Sequence, residues 1–137
     1  MNKYFWILGL ILSTLTITSC NNDDDYQTLH YVARGIDSIS MPDSARLGNR
    51  VEIRTHTRYK RDCQQFQTHG YDVVGNERTV MAWFIEYNNR TCGAEEAISP
   101  YFYFSPRNSG TYHFRFWAGQ NEANEDVFIT KDIVIYP

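Results

Sequence analysis

The chain has 137 residues, enough for one domain and too few for two at ~100–200 residues each. Apolar residues make up 42% and charged residues 21%, which excludes a disordered or fibrous chain. A net charge of −3 at pH 7 lacks the basic excess of an electrostatic nucleic-acid binder, so no nucleic-acid partner is expected.

The first residues read as a targeting segment. Met1-Asn2-Lys3 supplies a short positive region, and Tyr4 to Ile17 is a run of Leu, Ile, Phe and Trp broken only by Gly, Ser and Thr. At about 14 residues the run has the length of a secretory core and falls short of the ~20 needed to cross a bilayer. It ends in Ile17-Thr18-Ser19-Cys20, followed by Asn21-Asn22-Asp23-Asp24-Asp25. A plain secretory cut near Ser19 would leave Cys20 as a free thiol. The Ile-Thr-Ser-Cys ending instead resembles the lipobox of bacterial lipoproteins, and the acidic stretch is similar to the surface-export signal of Bacteroidota lipoproteins. That resemblance implies removal of residues 1–19 and lipidation of Cys20, with several acyl chains giving stable attachment where one is marginal. Residues 20–27 would then form an acidic tether. The expected location is the outer membrane, lipid-anchored and facing the cell exterior, with the periplasmic face as the alternative. Losing Lys3 takes the net charge from −3 to −4.

From residue 28 onward no window carries a 3.6-residue apolar stripe, whereas alternation with period two recurs. The aromatic share of 15%, with ten Tyr, eight Phe and three Trp, favours strands as well. Residues 28–40 read as strand broken at Gly35, and Met41-Pro42-Asp43-Ser44 as a turn or edge crossing. Val51, Ile53, Thr55, Thr57 and Tyr59 mark a clear alternating strand. A weaker strand runs to Phe66, and His69-Gly70 reads as a break. Tyr71–Val74 and Thr79–Tyr87 flank Gly75-Asn76, a hairpin signal. Asn88-Asn89-Arg90 and Gly93–Pro100 read as loop with one helical turn at Ala94–Ala97. Tyr101–Phe104, Thr111–Ala118 and Val127–Tyr136 complete a count of about seven to eight strands. The expected fold is therefore an all-β, immunoglobulin-like β-sandwich over residues 28–137.

Asn108-Ser109-Gly110-Thr111-Tyr112-His113-Phe114 resembles the tyrosine corner of immunoglobulin-like domains, whose Tyr hydroxyl folds back onto upstream backbone. The resemblance implies that Phe114 fills the place of an antibody domain's second Cys and that Trp83 is the core tryptophan. It speaks for a fold and not for a function.

With Cys20 lipidated, Cys63 and Cys92 remain in a compartment that permits disulfides. A bridge between them is expected, closing a loop of about 30 residues and contributing roughly 3–4 kcal/mol in the chain-entropy model. Two buried thiols, or a nucleophile with His69 or His113 as base, are the alternatives.

Two surfaces carry candidate ligand-binding residues. Arg50, Glu52, Arg54, His56, Arg58 and Lys60 share the outward face of the 51–60 strand, where Arg54 and Arg58 suit the sulfate or carboxylate of an acidic glycan. A solvated face that discourages edge pairing is the simpler account. On the 111–118 strand His113, Arg115 and Trp117 point outward if Tyr112, Phe114 and Phe116 point inward. With Tyr101 or Tyr103 on a neighbouring strand, this makes a platform for a sugar ring or for a protein partner. The oxygen-rich 119–126 loop lacks the spacing of a calcium site. No metal-ligand spacing, phosphate loop or nucleophile elbow occurs, so neither metal, cofactor nor catalysis is expected. Asp37-Ser38-Ile39 and Asp43-Ser44-Ala45 resemble the O-glycosylation triplets of exported Bacteroidota proteins. The functional expectation is a cell-surface binding or adhesion module whose partner is polysaccharide or another envelope protein; a protease inhibitor presenting sandwich loops is the alternative.

Overall fold

The computed structural model describes residues 28–137; the secretory core, Cys20 and Asp23–Asp25 lie outside the described residues. Ten strands and no helix occupy the described chain: β1 (Leu29–Arg34), β2 (Ile36–Ser40), β3 (Ser44–Arg46), β4 (Val51–Lys60), β5 (Gln64–Val74), β6 (Glu77–Tyr87), β7 (Glu95–Ile98), β8 (Tyr101–Phe104), β9 (Gly110–Gln120) and β10 (Asp126–Tyr136). They form a β-sandwich of one six-stranded and one four-stranded sheet.

In the larger sheet β6 is central. β5 pairs along its whole length on one edge, while β1 takes residues 82–87 and β9 residues 77–80 of the other. β10 then pairs with β9, and β3 with β10. In the smaller sheet β4 is central, with β2 on one edge and β7 and β8 end to end along the other. The β6–β9 and β3–β10 pairs are parallel, whereas an immunoglobulin domain is built from two antiparallel sheets.

Alternation along β4 buries Val51, Ile53, Thr55 and Thr57. Val80, Ala82 and Phe84 of β6, Tyr112, Phe114 and Phe116 of β9, and Ile133 and Ile135 of β10 face them. Aromatic pairs lock the layers together: Tyr59 stacks on Phe84 at 5.8 Å, and Phe104 meets Phe114 edge-on at 5.1 Å. The tyrosine corner is present. The Tyr112 hydroxyl donates to the Asn108 carbonyl at 3.0 Å and accepts from the Asn108 N–H, which satisfies a polar tip that would otherwise be costly to bury. Cys63 and Cys92 are joined, with Cα atoms 4.8 Å apart.

Four expectations are corrected. The strand count is ten. The expected helical turn at Ala94–Ala97 is replaced by the strand Glu95–Ile98, because the segment lies along an open edge of β4, where Thr57 pairs with Ile98 and Lys60 with Glu95. Ladder bonds and the packing of Ile98 on the core outweigh a single helical turn, whose nucleation is unfavourable. His69-Gly70 is no break, since β5 runs unbroken from Gln64 to Val74. Trp83 is not in the core, where Phe84 stands instead: it lies on the outer face of the six-stranded sheet, across Gly70. Any Cβ at position 70 would meet the Trp83 indole nitrogen at 2.5 Å, so glycine is what lets the ring approach β5 this closely.

Candidate functional site

The two sheets part along one flank, where β5 and β8 are both edge strands. A cleft of about 690 Å³ opens between them, within the range of small-ligand sites. Its floor and walls are aromatic: Phe66 and Tyr71 come from β5, Phe102 from β8, and Tyr112 from the tyrosine corner, while Tyr101 and Tyr103 border it only along β8, whose alternation turns their rings to the outer face of the smaller sheet.

A bulge in β5 makes this lining. Phe66 pairs with Phe84 and Thr68 with Trp83, so Gln67 is an extra residue in the ladder. The bulge re-aims the strand. Before it Phe66 faces the interior; after it His69 and Tyr71 do, opposite Ala82 and Val80. The Phe102 ring reaches across from the other sheet to within 4.9 Å of the His69 ring and 5.9 Å of Tyr71.

His69 forms the base of the cleft. Its Nε2 shares a hydrogen bond of 2.8 Å with the Thr55 hydroxyl, and burial pushes its pKa down to about 4, so the ring is neutral at pH 7. Thr55 is fully buried beneath the ring, which makes the pair an anchor for the imidazole and leaves no hydroxyl within a ligand's reach. Burial raises the Tyr71 pKa, and Arg78 beside its hydroxyl opposes the rise. Arg78 closes the far end: its Nη1 donates to the carbonyls of Gly75 (2.6 Å) and Glu77 (2.8 Å), and its guanidinium lies over the Tyr112 ring at 5.1 Å. Arg107, exposed in the β8–β9 connection, faces the same space.

The residues marked out by sequence fall on opposite sides of the molecule. Tyr101 and Tyr103 belong to the four-stranded sheet and Trp117 to the six-stranded one, so the expected platform of Tyr beside Trp117 does not form. β8 pairs along the free edge of β4 and not with β9, which it meets only through the Phe104 ring in the core. Tyr101 and Tyr103 instead join Arg54 and Arg50: Arg54 lies over Tyr101 at 5.0 Å, and Arg50 over Tyr103 at 4.1 Å. The rest of that cationic face is largely paired, Arg54 with Glu52 at 2.8 Å, Arg58 with Asp37 at 3.7 Å, and Arg61 with Glu96 at 3.0 Å.

On the other sheet His113, Arg115 and Trp117 do share the outward face of β9. Each is engaged by a neighbour: His113 with Asp132 (2.8 Å), Arg115 with Glu77 (3.3 Å), and the Trp117 N–H with Asp126 (3.0 Å). The 119–126 loop is tied by its own side chains, with Asn121 Oδ1 accepting from the N–H groups of Ala123 and Glu125. Among the described residues no cluster of three or more metal-ligating side chains occurs.

The sequence matches no protein-family model, and no curated protein or solved structure resembles it at a significant level.

Proposed function

We propose that this chain is a non-catalytic binding module of the bacterial cell envelope: an immunoglobulin-like sandwich, lipid-anchored through Cys20 and displayed outward, that takes a saccharide in the β5–β8 cleft. One observation carries the reading. Tyr71 stays 44% exposed opposite the inward-facing Phe102, in a concave site whose base is a neutral, anchored histidine. The rings of Tyr71 and Phe102 offer an apolar face to a sugar ring while the Tyr71 hydroxyl, with Asn76 and Asn108 at the rim, suits its hydroxyl groups.

Affinity electrophoresis of the protein through gels containing different polysaccharides tests it. Retardation by at least one polymer, lost in Tyr71→Ala and kept in Trp117→Ala, is the expected result. Retardation by none, with the protein folded, would end the saccharide reading and turn attention to protein partners. The anchor is tested separately: palmitate labelling should vanish in Cys20→Ser, and surface display predicts that external protease removes the protein from intact cells.

A further inference from the structure

The charge around the cleft goes further than its shape. The chain carries 16 acidic residues and a net charge of −3, yet no Asp or Glu lines the cleft, whereas Arg78 and Arg107 do. Elsewhere Arg34, Arg54, Arg58, Arg61 and Arg115 each hold a carboxylate within 4.0 Å, and Arg46, Arg50 and Arg90, which take no ion pair among the described residues, lie outside the cleft. Neither Arg78 nor Arg107 takes part in any ion pair among the described residues.

Arg78 is also set in place. Its two bonds to backbone carbonyls both use Nη1, and the rings of Tyr112 and Phe104 lie under the guanidinium at 5.1 and 5.9 Å. The Nε and Nη2 groups take no backbone carbonyl or carboxylate among the described residues, with the Tyr71 hydroxyl beside the guanidinium, and together they form the edge of the fork that grips a carboxylate or sulfate with two parallel bonds. A guanidinium already held in one orientation loses little freedom when it binds, which favours affinity.

We propose that the cleft selects acidic saccharides, whose carboxylate or sulfate is held by Arg78 and Arg107 while the sugar ring lies against Tyr71 and Phe102. This rests on the cleft being the ligand site. His69 adds no charge at neutral pH, so the selectivity comes from the two arginines alone.

Isothermal titration of the full chain in neutral detergent tests the assignment. The probes are an oligogalacturonate, a sulfated oligogalactan, a neutral oligogalactan of the same length, and poly-glutamate. At least one acidic saccharide should bind about tenfold or more tightly than the neutral one, and added salt should weaken it as pairing is screened. The uronate and sulfate arms identify the anion, and preference for either supports the proposal. Arg107→Gln, at an exposed position where folding is not at stake, should cost the acidic ligand about tenfold and leave the neutral one within about twofold. Arg78→Gln should do the same, with thermal unfolding measured alongside because its guanidinium covers core rings. Arg115→Gln, on the opposite sheet, should change neither. Equal affinity for neutral and acidic saccharides would overturn charge selection and leave the binding reading standing. Binding of no saccharide would overturn both, and poly-glutamate binding as tightly as the acidic sugars would reassign the cleft to acidic peptide.

Discussion

Two surfaces of this molecule have nearly the same composition and opposite states. The outer face around Trp117 and the β5–β8 cleft each combine aromatic rings, an arginine and a histidine. Around Trp117 the polar groups are matched: the indole N–H reaches Asp126, Arg115 reaches Glu77 and lies over Phe128 at 4.2 Å, and His113 reaches Asp132. In the cleft the histidine is anchored but the arginines have no carboxylate, and Tyr71 stands open. Residue types alone therefore do not mark a recognition site. What distinguishes the two is whether the protein has already satisfied its own groups, because a donor with a good internal partner has little to gain from a ligand.

That contrast can be broken or sharpened by experiment. The largest effect lies outside both surfaces: replacing Cys63 and Cys92 by Ser should lower unfolding free energy by about 3–4 kcal/mol in denaturant titration. Saccharide affinity of the folded variant should not change; a lost affinity would mean the cleft depends on that distant clamp. Removing two cleft rings in Tyr71→Ala/Phe102→Ala should weaken saccharide binding by about 30-fold or more, at roughly 1–2 kcal/mol per ring. Trp117→Ala should stay within about twofold, and the reverse ranking would exchange the roles of the two faces.

Gly70→Ala tests the back of the cleft wall. The added methyl collides with the Trp83 indole, at a cost of about 1–3 kcal/mol typical of overpacking, and near-ultraviolet circular dichroism should report the displaced ring. The pH response of His69 comes next. Its pKa is lowered to about 4 in the fold from ~6.5 in the unfolded chain, so the unfolded state binds the extra proton first. Stability should therefore fall as pH drops from about 6.5 to 4 and gain no further penalty from this group below that. Solvent access to the ring reduces the effect to about 1–2 kcal/mol. His69→Gln keeps a partner for Thr55 and should flatten that part of the profile; an unchanged slope would assign it to another group. The smallest effect is expected from Asp126→Ala, which frees the Trp117 N–H at a partly exposed site and should cost about 0.5–1 kcal/mol.

Much of the sandwich was legible in the alternation of apolar and polar residues. The burial of every second residue in β4, the Gly75-Asn76 hairpin and the tyrosine corner all follow from period-two patterning and turn chemistry in short windows. The cleft was not legible, for a local reason. The bulge at Gln67 shifts the inward set from Phe66 to His69 and Tyr71, which breaks the alternation and makes a continuous strand read as two fragments around His69-Gly70. The placement of Tyr101 and Tyr103 failed for a non-local reason. Whether β8 pairs with β4 or with β9 is settled by which edge lies open after all the other strands have paired, and no window of sequence holds that information. Arg78 and Arg107 gave no signal, since what sets them apart is a shared place in a cleft free of carboxylates, which depends on segments remote along the chain.

The way β1 and β9 divide one edge of β6 has a consequence for orientation. Leu29 pairs with Tyr87, and Thr28 is held by Asn88, so the chain enters the sandwich at the far end of β6 from Arg78. An 11-residue strand extends roughly 33 Å at ~3.3 Å per residue. An attachment to a membrane ahead of Thr28 would thus set the disulfide end toward the bilayer. The arginine end of the cleft would then be the end remote from the attachment, separated from it by the length of β6, about three-quarters of a membrane's full thickness.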